Sequence, residues 1–215
     1  MYQPPHFRED RLEVQHALIR THPLGLLVTL GSTGLVANPI PFVLDALAPP
    51  YGTLKAHLSR ANRQWQDFDP AQEVLTVFQG PEAYITPSWY AAKREHGKVV
   101  PTWNYAIVQA YGRMTIIDEP AWLLQQITAM TEDQETARPE PWAVGDAPEA
   151  FVAAQLKGIV GIEIEITRIE AKWKVSQNRS DADRLGVTAG LRARQDEASQ
   201  QMAELVETRG APRGS

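Results

Sequence analysis

The segment LKAHLSRAN, residues 54–62, gathers Lys55, His57, Ser59, Arg60 and Asn62 into one short stretch. An apolar run from Thr53 reads as a strand that delivers them to Ser59, where SRANRQW reads as the start of a helix. The N–H groups and macrodipole at a helix N-terminus attract an anion, and an arginine forks two hydrogen bonds onto a phosphate. The plainer reading has Ser59 as a helix cap and Arg60 as a solvated surface residue. The residues alone leave both open.

A second constellation is aromatic. GPEAYITPSWY (80–90) and KVVPTWNY (98–105) place Tyr84, Trp89, Tyr90, Trp103 and Tyr105 close together, with Pro81, Pro87 and Pro101 between them. Aromatic side chains most often fill a core. Tryptophan and tyrosine need partners for their polar atoms when buried, and they are enriched at interfaces. Flanked by prolines, and with Thr102 and Asn104 as polar groups, they suit a core plug or a platform for a flat ligand, which is the usual make-up of a binding pocket.

Other chemistries find no support. The five histidines (6, 16, 22, 57 and 96) form no HExxH or HxH pair, and with no cysteine in the chain no metal site is expected. The absence of cysteine also excludes disulfides and thiolate nucleophiles. No GxSxG, GxGxxG or GxxxxGK[ST] occurs, and no catalytic residue is identifiable. The net charge of −5 argues against a general attraction to nucleic acid, because that attraction comes from lysine and arginine neutralising phosphates. MYQPPHFRED lacks the layout of a signal peptide. No run approaches the roughly 18 apolar residues of a membrane span, so no membrane association is expected and the location is read as cytoplasmic.

The elements that must position these groups follow from periodicity. A helix is expected over 8–21, then a hairpin of strands 24–30 and 35–44 around GSTG. Pro39 and Pro41 lie in its second strand, which therefore lies at an edge or faces a ligand or partner. Further strands are expected at 53–58, 73–80, 105–118, 159–170 and 171–177, with Gly112 read as a bulge. Helices are expected from Pro120, over 148–158, from a Ser180–Asp183 capping box, and over an apolar face of Ala198, Met202, Leu205 and Val206. Short connections imply antiparallel pairing, and the sum is an α+β, mainly β chain: a small barrel with peripheral helices.

The stretches MYQPPHF, HPLGLLVT, ANPIPF, AHLSRAN, VFQGPEAYITPSWY, VVPTWNY, GIVGIEIEI and KWKVSQN, in this order, resemble the FMN-binding negative transcriptional regulators of the PaiB type. The resemblance runs from Met1 to about Leu191. Arg63 stands where that family usually has proline, Leu24 where it has phenylalanine, and Gln109 near a usual histidine. The resemblance implies a six-stranded antiparallel split β-barrel related to pyridoxamine phosphate oxidases, as a homodimer with FMN at the subunit interface. On that basis residues 1–178 are the FMN-binding domain, 179–207 a C-terminal helical extension and 208–215 a disordered tail.

It also implies ligands. His57, Ser59, Arg60 and Asn62 would face the flavin phosphate. Thr29, Asn38, Pro39 and Ile40 would line the pyrimidine edge. Trp103 and Tyr105 would come from the partner chain, with Lys174 and Gln177 nearby. The family name implies transcriptional regulation, while charge and motifs give DNA binding no support. A flavin-dependent oxidoreductase acting on a small molecule is the alternative. Haem handling, with His57 and His96 as ligands, is a weaker third.

Overall fold

The computed structural model describes residues Met1 to Arg209. They form two compact units, each assembled from separated stretches of the chain. The elements in chain order are α1 (Leu12–Thr21), β1 (Leu24–Gly31), β2 (Gly34–Pro41), β3 (Val43–Asp45), β4 (Thr53–Ser59), β5 (Val74–Ile85), α2 (Ala91–Glu95), β6 (Thr102–Ile117), α3 (Pro120–Glu135), α4 (Glu149–Leu156), β7 (Ile159–Lys174), α5 (Asp181–Arg192) and α6 (Glu197–Arg209). The strands follow the order β2-β1-β5-β6-β7-β4-β3.

One unit comprises His16–Phe78 and Gln109–Ile169. Its β1–β2 hairpin is antiparallel and runs from Leu24 opposite Pro41 to Gly31 opposite Gly34. Gly34 has φ +112°, a turn conformation that favours glycine. β2 is an edge strand, the place where Pro39 and Pro41 are tolerated. The single strand expected over 35–44 is broken at Phe42, whose N–H turns to the Pro23 carbonyl (2.9 Å) and whose buried ring meets Phe78 edge-on. This break makes β2 and β3 separate strands, while the strands expected over 159–170 and 171–177 run on as one, so the sheet has seven strands rather than the six of the resemblance.

β4 pairs antiparallel with β7, from Thr53 opposite Glu165 to Ser59 opposite Ile159. Strand alternation sends Leu54, Ala56 and Leu58 into the core and leaves Lys55, His57 and Ser59 on the other face. Gly112 is not a bulge. β6 runs unbroken through it, and a Cβ there would strike the backbone carbonyl of Glu165 in β7.

The other unit comprises Met1–Gln15, Gln79–Val108 and, of the described residues, 170–209. Its core holds Phe7, Ile85, Tyr90, Trp173, Val175, Val187, Leu191, Met202 and Val206. α1 starts at Leu12 rather than Arg8, because the buried Glu9 carboxylate takes the Arg11 N–H (3.1 Å) and its guanidinium (2.7 Å). Glycines 186 and 190 let α5 lie against Trp89, since a Cβ at either would overlap it. Ser180 caps α5 through the Asp183 N–H, but Asp183 turns its own carboxylate to the Ala92 N–H (3.0 Å), so the capping box is half made. Of the tail expected over 208–215, Thr208 and Arg209 lie in α6, and Arg209 pairs with Glu9 (2.9 Å). Residues 210–215 lie outside the described residues.

Candidate functional site

The expected ligands fall into two groups, one on each unit. In the unit containing β1–β4, Thr29 is buried, Asn38 half-buried, Pro39 exposed and Ile40 buried. The sequence reading missed the residue that organises them. The buried Gln64 accepts from Asn38 Nδ2 at Oε1 (2.9 Å). Its Nε2 donates to the Leu27 carbonyl (3.1 Å), the Thr29 hydroxyl (3.2 Å) and the Val36 carbonyl (3.3 Å). Gln64 thus pins both strands of the hairpin from a short 3₁₀ turn, Arg63–Trp65.

That turn corrects the expectation of a helix opening at Ser59. Ser59 ends β4, Asn62 is the N-cap of the 3₁₀ turn through its side-chain oxygen and the Gln64 N–H (3.0 Å), and Ser59 Oγ accepts from the Ala61 N–H (3.3 Å). With no α-helix there, the macrodipole argument for an anion lapses. Arg60 is engaged as well. Its guanidinium grips Asp118 through both nitrogens (2.9 and 2.5 Å) and donates to the carbonyls of Lys157 (3.1 Å) and Ile159 (2.8 Å). The hydrogen bond from Arg60 holds the Asp118 carboxyl below the usual carboxylate range. A phosphate at Arg60 would have to share it with that carboxylate. His57 Nδ1 lies 2.7 Å from Gln126 Oε1.

The second group is differently charged. Trp103 is 53% exposed and meets the exposed Tyr84 edge-on, with ring centroids 5.9 Å apart. The half-buried Tyr105 ring has Lys172 Nζ at 5.3 Å and Lys174 Nζ at 5.9 Å from its centroid. β7 alternation puts both lysines on one face, opposite Trp173. Lys172 is only 8% exposed. Lys174 donates to the Thr102 hydroxyl and to the Trp103 carbonyl (2.7 Å), neither of them an anion. Burial pushes its ammonium below the usual lysine range, and the charges of Lys172 and Arg179 add to the shift. Gln177 spends its amide on the local backbone, with Trp173 O and Val175 N. Beside it Ser176 sits at φ +68°, an uncommon conformation for a residue with a side chain. Its hydroxyl accepts from Asn104 Nδ2 (3.0 Å), while the buried Asn104 Oδ1 has no partner among the described residues.

These residues fit FMN. Its phosphate, close to a dianion, needs cations not already neutralised, and Lys172 and Lys174 answer to that where Arg60 does not. Its ring needs an aromatic or apolar bed with a few placed polar groups, and Trp103, Tyr105, Tyr84 and the orphaned Asn104 oxygen are of that kind. For haem the ligands are weaker. His57 is turned to Gln126, and His96 Nδ1 accepts from the Lys98 N–H (3.0 Å). Among the described residues no group of three or more histidine, aspartate or glutamate side chains could hold a metal ion. No helix there is long and apolar enough to cross a membrane.

Comparison with known proteins bears on the same chemistry. Residues 1–168 match the model of a family described as "Putative FMN-binding domain". The protease synthase and sporulation protein PAI 2 of Bacillus subtilis is 33% identical over 207 residues, spanning 96% of this chain and 97% of that one. Among solved structures, the flavocytochrome Anf3 from Azotobacter vinelandii superposes with a TM-score of 0.55 at 13% identity, covering 78% of this chain and 69% of its own. Rv2991 from Mycobacterium tuberculosis gives 0.53 at 15% identity, over 81% and 90%. At such identities the structural likeness speaks for the fold, which is the split β-barrel of the pyridoxamine phosphate oxidase type. With the family model matching most of the chain and a relative a third identical over nearly all of it, this protein belongs to the FMN-binding domain family that includes PAI 2, and FMN is its cofactor.

Proposed function

We propose that this protein is an FMN-binding regulator of the PaiB type, a cytoplasmic homodimer whose flavin lies at the subunit interface. One observation carries the flavin assignment: the exposed Trp103 with Tyr84, beside the Tyr105 ring flanked by two lysines that have no carboxylate partner among the described residues. In this reading Trp103, Tyr105, Lys174 and Lys172 of one copy face the flavin, and Thr29, Asn38, Pro39 and Ile40 of the other line its pyrimidine edge. Ser59, Asn62 and His57 remain near the phosphate end, and Arg60 acts as a strut. The relative's name, a protease synthase and sporulation protein, favours regulation over metabolism.

The regulator does not grip DNA by itself in this reading. The chain carries a net charge of −5, and α6 sets Glu197, Glu204 and Glu207 against Arg209. Phosphate neutralisation, the main source of affinity for a duplex, has little to draw on. Regulation then runs through flavin state and a protein partner. The purified protein is expected to show flavin absorption bands, to have twice the mass of one chain in solution, and to leave duplex DNA unshifted at micromolar protein and low salt. A colourless protein that takes up no added FMN would overturn the flavin assignment, and a mobility shift at low salt would overturn the indirect route.

A flavin-dependent oxidoreductase is the second reading, favoured by the desolvated Lys174 beside the aromatic wall. FMN supplies the redox chemistry itself when bound, and Lys174 would hold an anionic group of the ring or substrate. Rapid bleaching of the flavin by NADH or NADPH, with turnover of a small acceptor, would favour this reading over the first.

A further inference from the structure

A cavity of about 250 Å³ lies where the end of α1, the break between β2 and β3 and the last turns of α3 come together, within a single unit of the chain. None of the residues assigned to the flavin lines it. The sequence makes most of its surface apolar. α1 stops at Thr21, two residues before Pro23, and the strand breaks at Phe42, whose N–H goes to the Pro23 carbonyl (2.9 Å). The break sets Pro41, Phe42, Val43 and Leu44 along one side, and neither Pro23 nor Pro41 brings an N–H to it. Met130 and Asp133 come from α3, where residues three apart share a face.

Two opposite charges line this apolar hollow. Arg20 belongs to the last turn of α1 and Asp133 to the last turn of α3. Both are exposed, so a guest in the cavity can reach them. They do not pair with each other, and neither side chain has a hydrogen bond or ion pair to any described residue. Asp133 is the worse placed of the two. The negative end of the α3 macrodipole repels a carboxylate, and no basic residue stands in that last turn to offset it. The nearby Glu135 is matched by Arg138 (3.1 Å), while Asp133 has no such match. A cation is therefore favoured at Asp133 and an anion at Arg20.

A guest with one charge would take water from the opposite wall without replacing it, and an uncharged guest would do so at both walls. Arg20 and Asp133 stand on different helices and too far apart to pair, so the two charges of the guest stand apart as well. The volume lies just under the usual range of ligand pockets, about 300–1,000 Å³, which limits the body between the charges to a short chain.

We propose that this cavity binds a small zwitterion, an ammonium and a carboxylate joined by a short hydrocarbon chain. The carboxylate accepts from the Arg20 guanidinium, the ammonium donates to Asp133, and the chain rests on Phe42, Leu44 and Met130. Each exposed ion pair contributes little, so the affinity is millimolar and selectivity comes from meeting both charges at once. The cavity shares no residue with the FMN assignment, so the result is independent of the flavin reading.

The test is a titration of the FMN-loaded protein, labelled with ¹³C at its methionine methyls, with ε-aminocaproate. Caproate and hexylamine serve as counterparts carrying one charge each. The chain has four methionines, of which Met130 lines the cavity, so Met1, Met114 and Met202 act as references. The Met130 signal is assigned from Met130→Leu. ε-Aminocaproate is expected to shift it in a saturable way and to leave the other three in place, with caproate and hexylamine weaker by roughly threefold or more. Arg20→Gln and Asp133→Asn should each weaken ε-aminocaproate by roughly threefold or more. Both positions are exposed and unpartnered, so the fold does not depend on them. The proposal fails if Met130 shows no saturable shift up to about 20 mM, a millimolar affinity being the weakest worth calling a site. It fails equally if either single-charge counterpart binds as tightly as the zwitterion, or if either variant binds like the parent.

Discussion

Arg60 holds Asp118 in a two-pronged ion pair, Nη1 to Oδ2 at 2.9 Å and Nη2 to Oδ1 at 2.5 Å, across 58 positions of sequence. The same guanidinium reaches the carbonyls of Lys157 and Ile159. It therefore ties the end of β4 to the β6–α3 junction and to the start of β7. We expect Arg60→Ala to change FMN affinity less than threefold by flavin fluorescence titration, and to lower Tm by about 1–3 °C. A tenfold loss of affinity at unchanged Tm would make Arg60 a phosphate ligand instead. Because Arg60 depresses the Asp118 pKa, the pair contributes fully above the ordinary carboxylate value and is lost as pH falls through the depressed one. The Tm gap between parent and variant should therefore close below about pH 4.

Gln64 is the polar hub of the β1–β2 hairpin, and its amide both accepts and donates. Gln64→Glu keeps the size but removes the donor, placing a carboxylate against the carbonyls of Leu27 and Val36. Leaving such buried groups unmet costs about 1–3 kcal/mol, or about 3–10 °C in Tm for a chain of this size. Thermal melts at pH 7 should show Gln64→Glu to be less stable than Gln64→Leu, which leaves the pocket apolar. The reverse order would mean that the hub contributes packing rather than hydrogen bonds.

The strands were legible where alternation was clean. β4 and β7 lie nearly where Leu54, Leu58, Ile162, Ile164 and Ile166 put them. What failed to show was pairing across sequence distance. Nothing in SRANRQW announces that Gln64 is buried, because its partners lie 26 to 37 positions away in strands. Asp118 reads as a helix starter, not as the partner of Arg60. Ser59 followed by polar residues resembles a cap, yet Asn62 holds that role over a single 3₁₀ turn. Lys172 in AKWKVSQ reads as an outward-facing residue, and only aromatic cover from Tyr2, Phe7 and Tyr105 explains its burial. The FMN motifs were legible as motifs, but which cations stay un-neutralised is a property of the folded neighbourhood.

Gly161 exists for Trp122. A Cβ at 161 would overlap the indole ring and sit 3.1 Å from the Ile117 carbonyl. Gly161→Ala must push Trp122 away from β7 and stretch its bond to Glu163. Overpacking of this kind costs about 1–3 kcal/mol, and Tm should fall by about 3–10 °C. In a double-mutant cycle, Gly161→Ala should cost less than half as much in a Trp122→Ala background, because the main obstacle is gone. Additive losses would place the cost at the Ile117 carbonyl instead.

Lys174 sets stability against binding. Burial and two neighbouring cations depress its pKa, so the folded chain holds this proton less tightly than the unfolded one. Between the depressed value and the unfolded value of about 10.4, stability rises with pH; below that window the charge is a constant penalty. Without flavin, Lys174→Met should therefore melt higher than the parent by about 1–3 °C at pH 7, and the difference should vanish as pH approaches the unfolded value. With flavin the order reverses, because the variant loses a cation beside the aromatic wall and FMN affinity should fall at least tenfold. Parent affinity should also decline as pH rises toward the depressed lysine value, while Lys174→Arg, which stays charged, keeps its affinity through that range. Melts with and without saturating FMN, from pH 7 to 10, read both effects in one experiment. An unchanged flavin affinity in Lys174→Met would remove this lysine from the site and leave only its penalty to the fold.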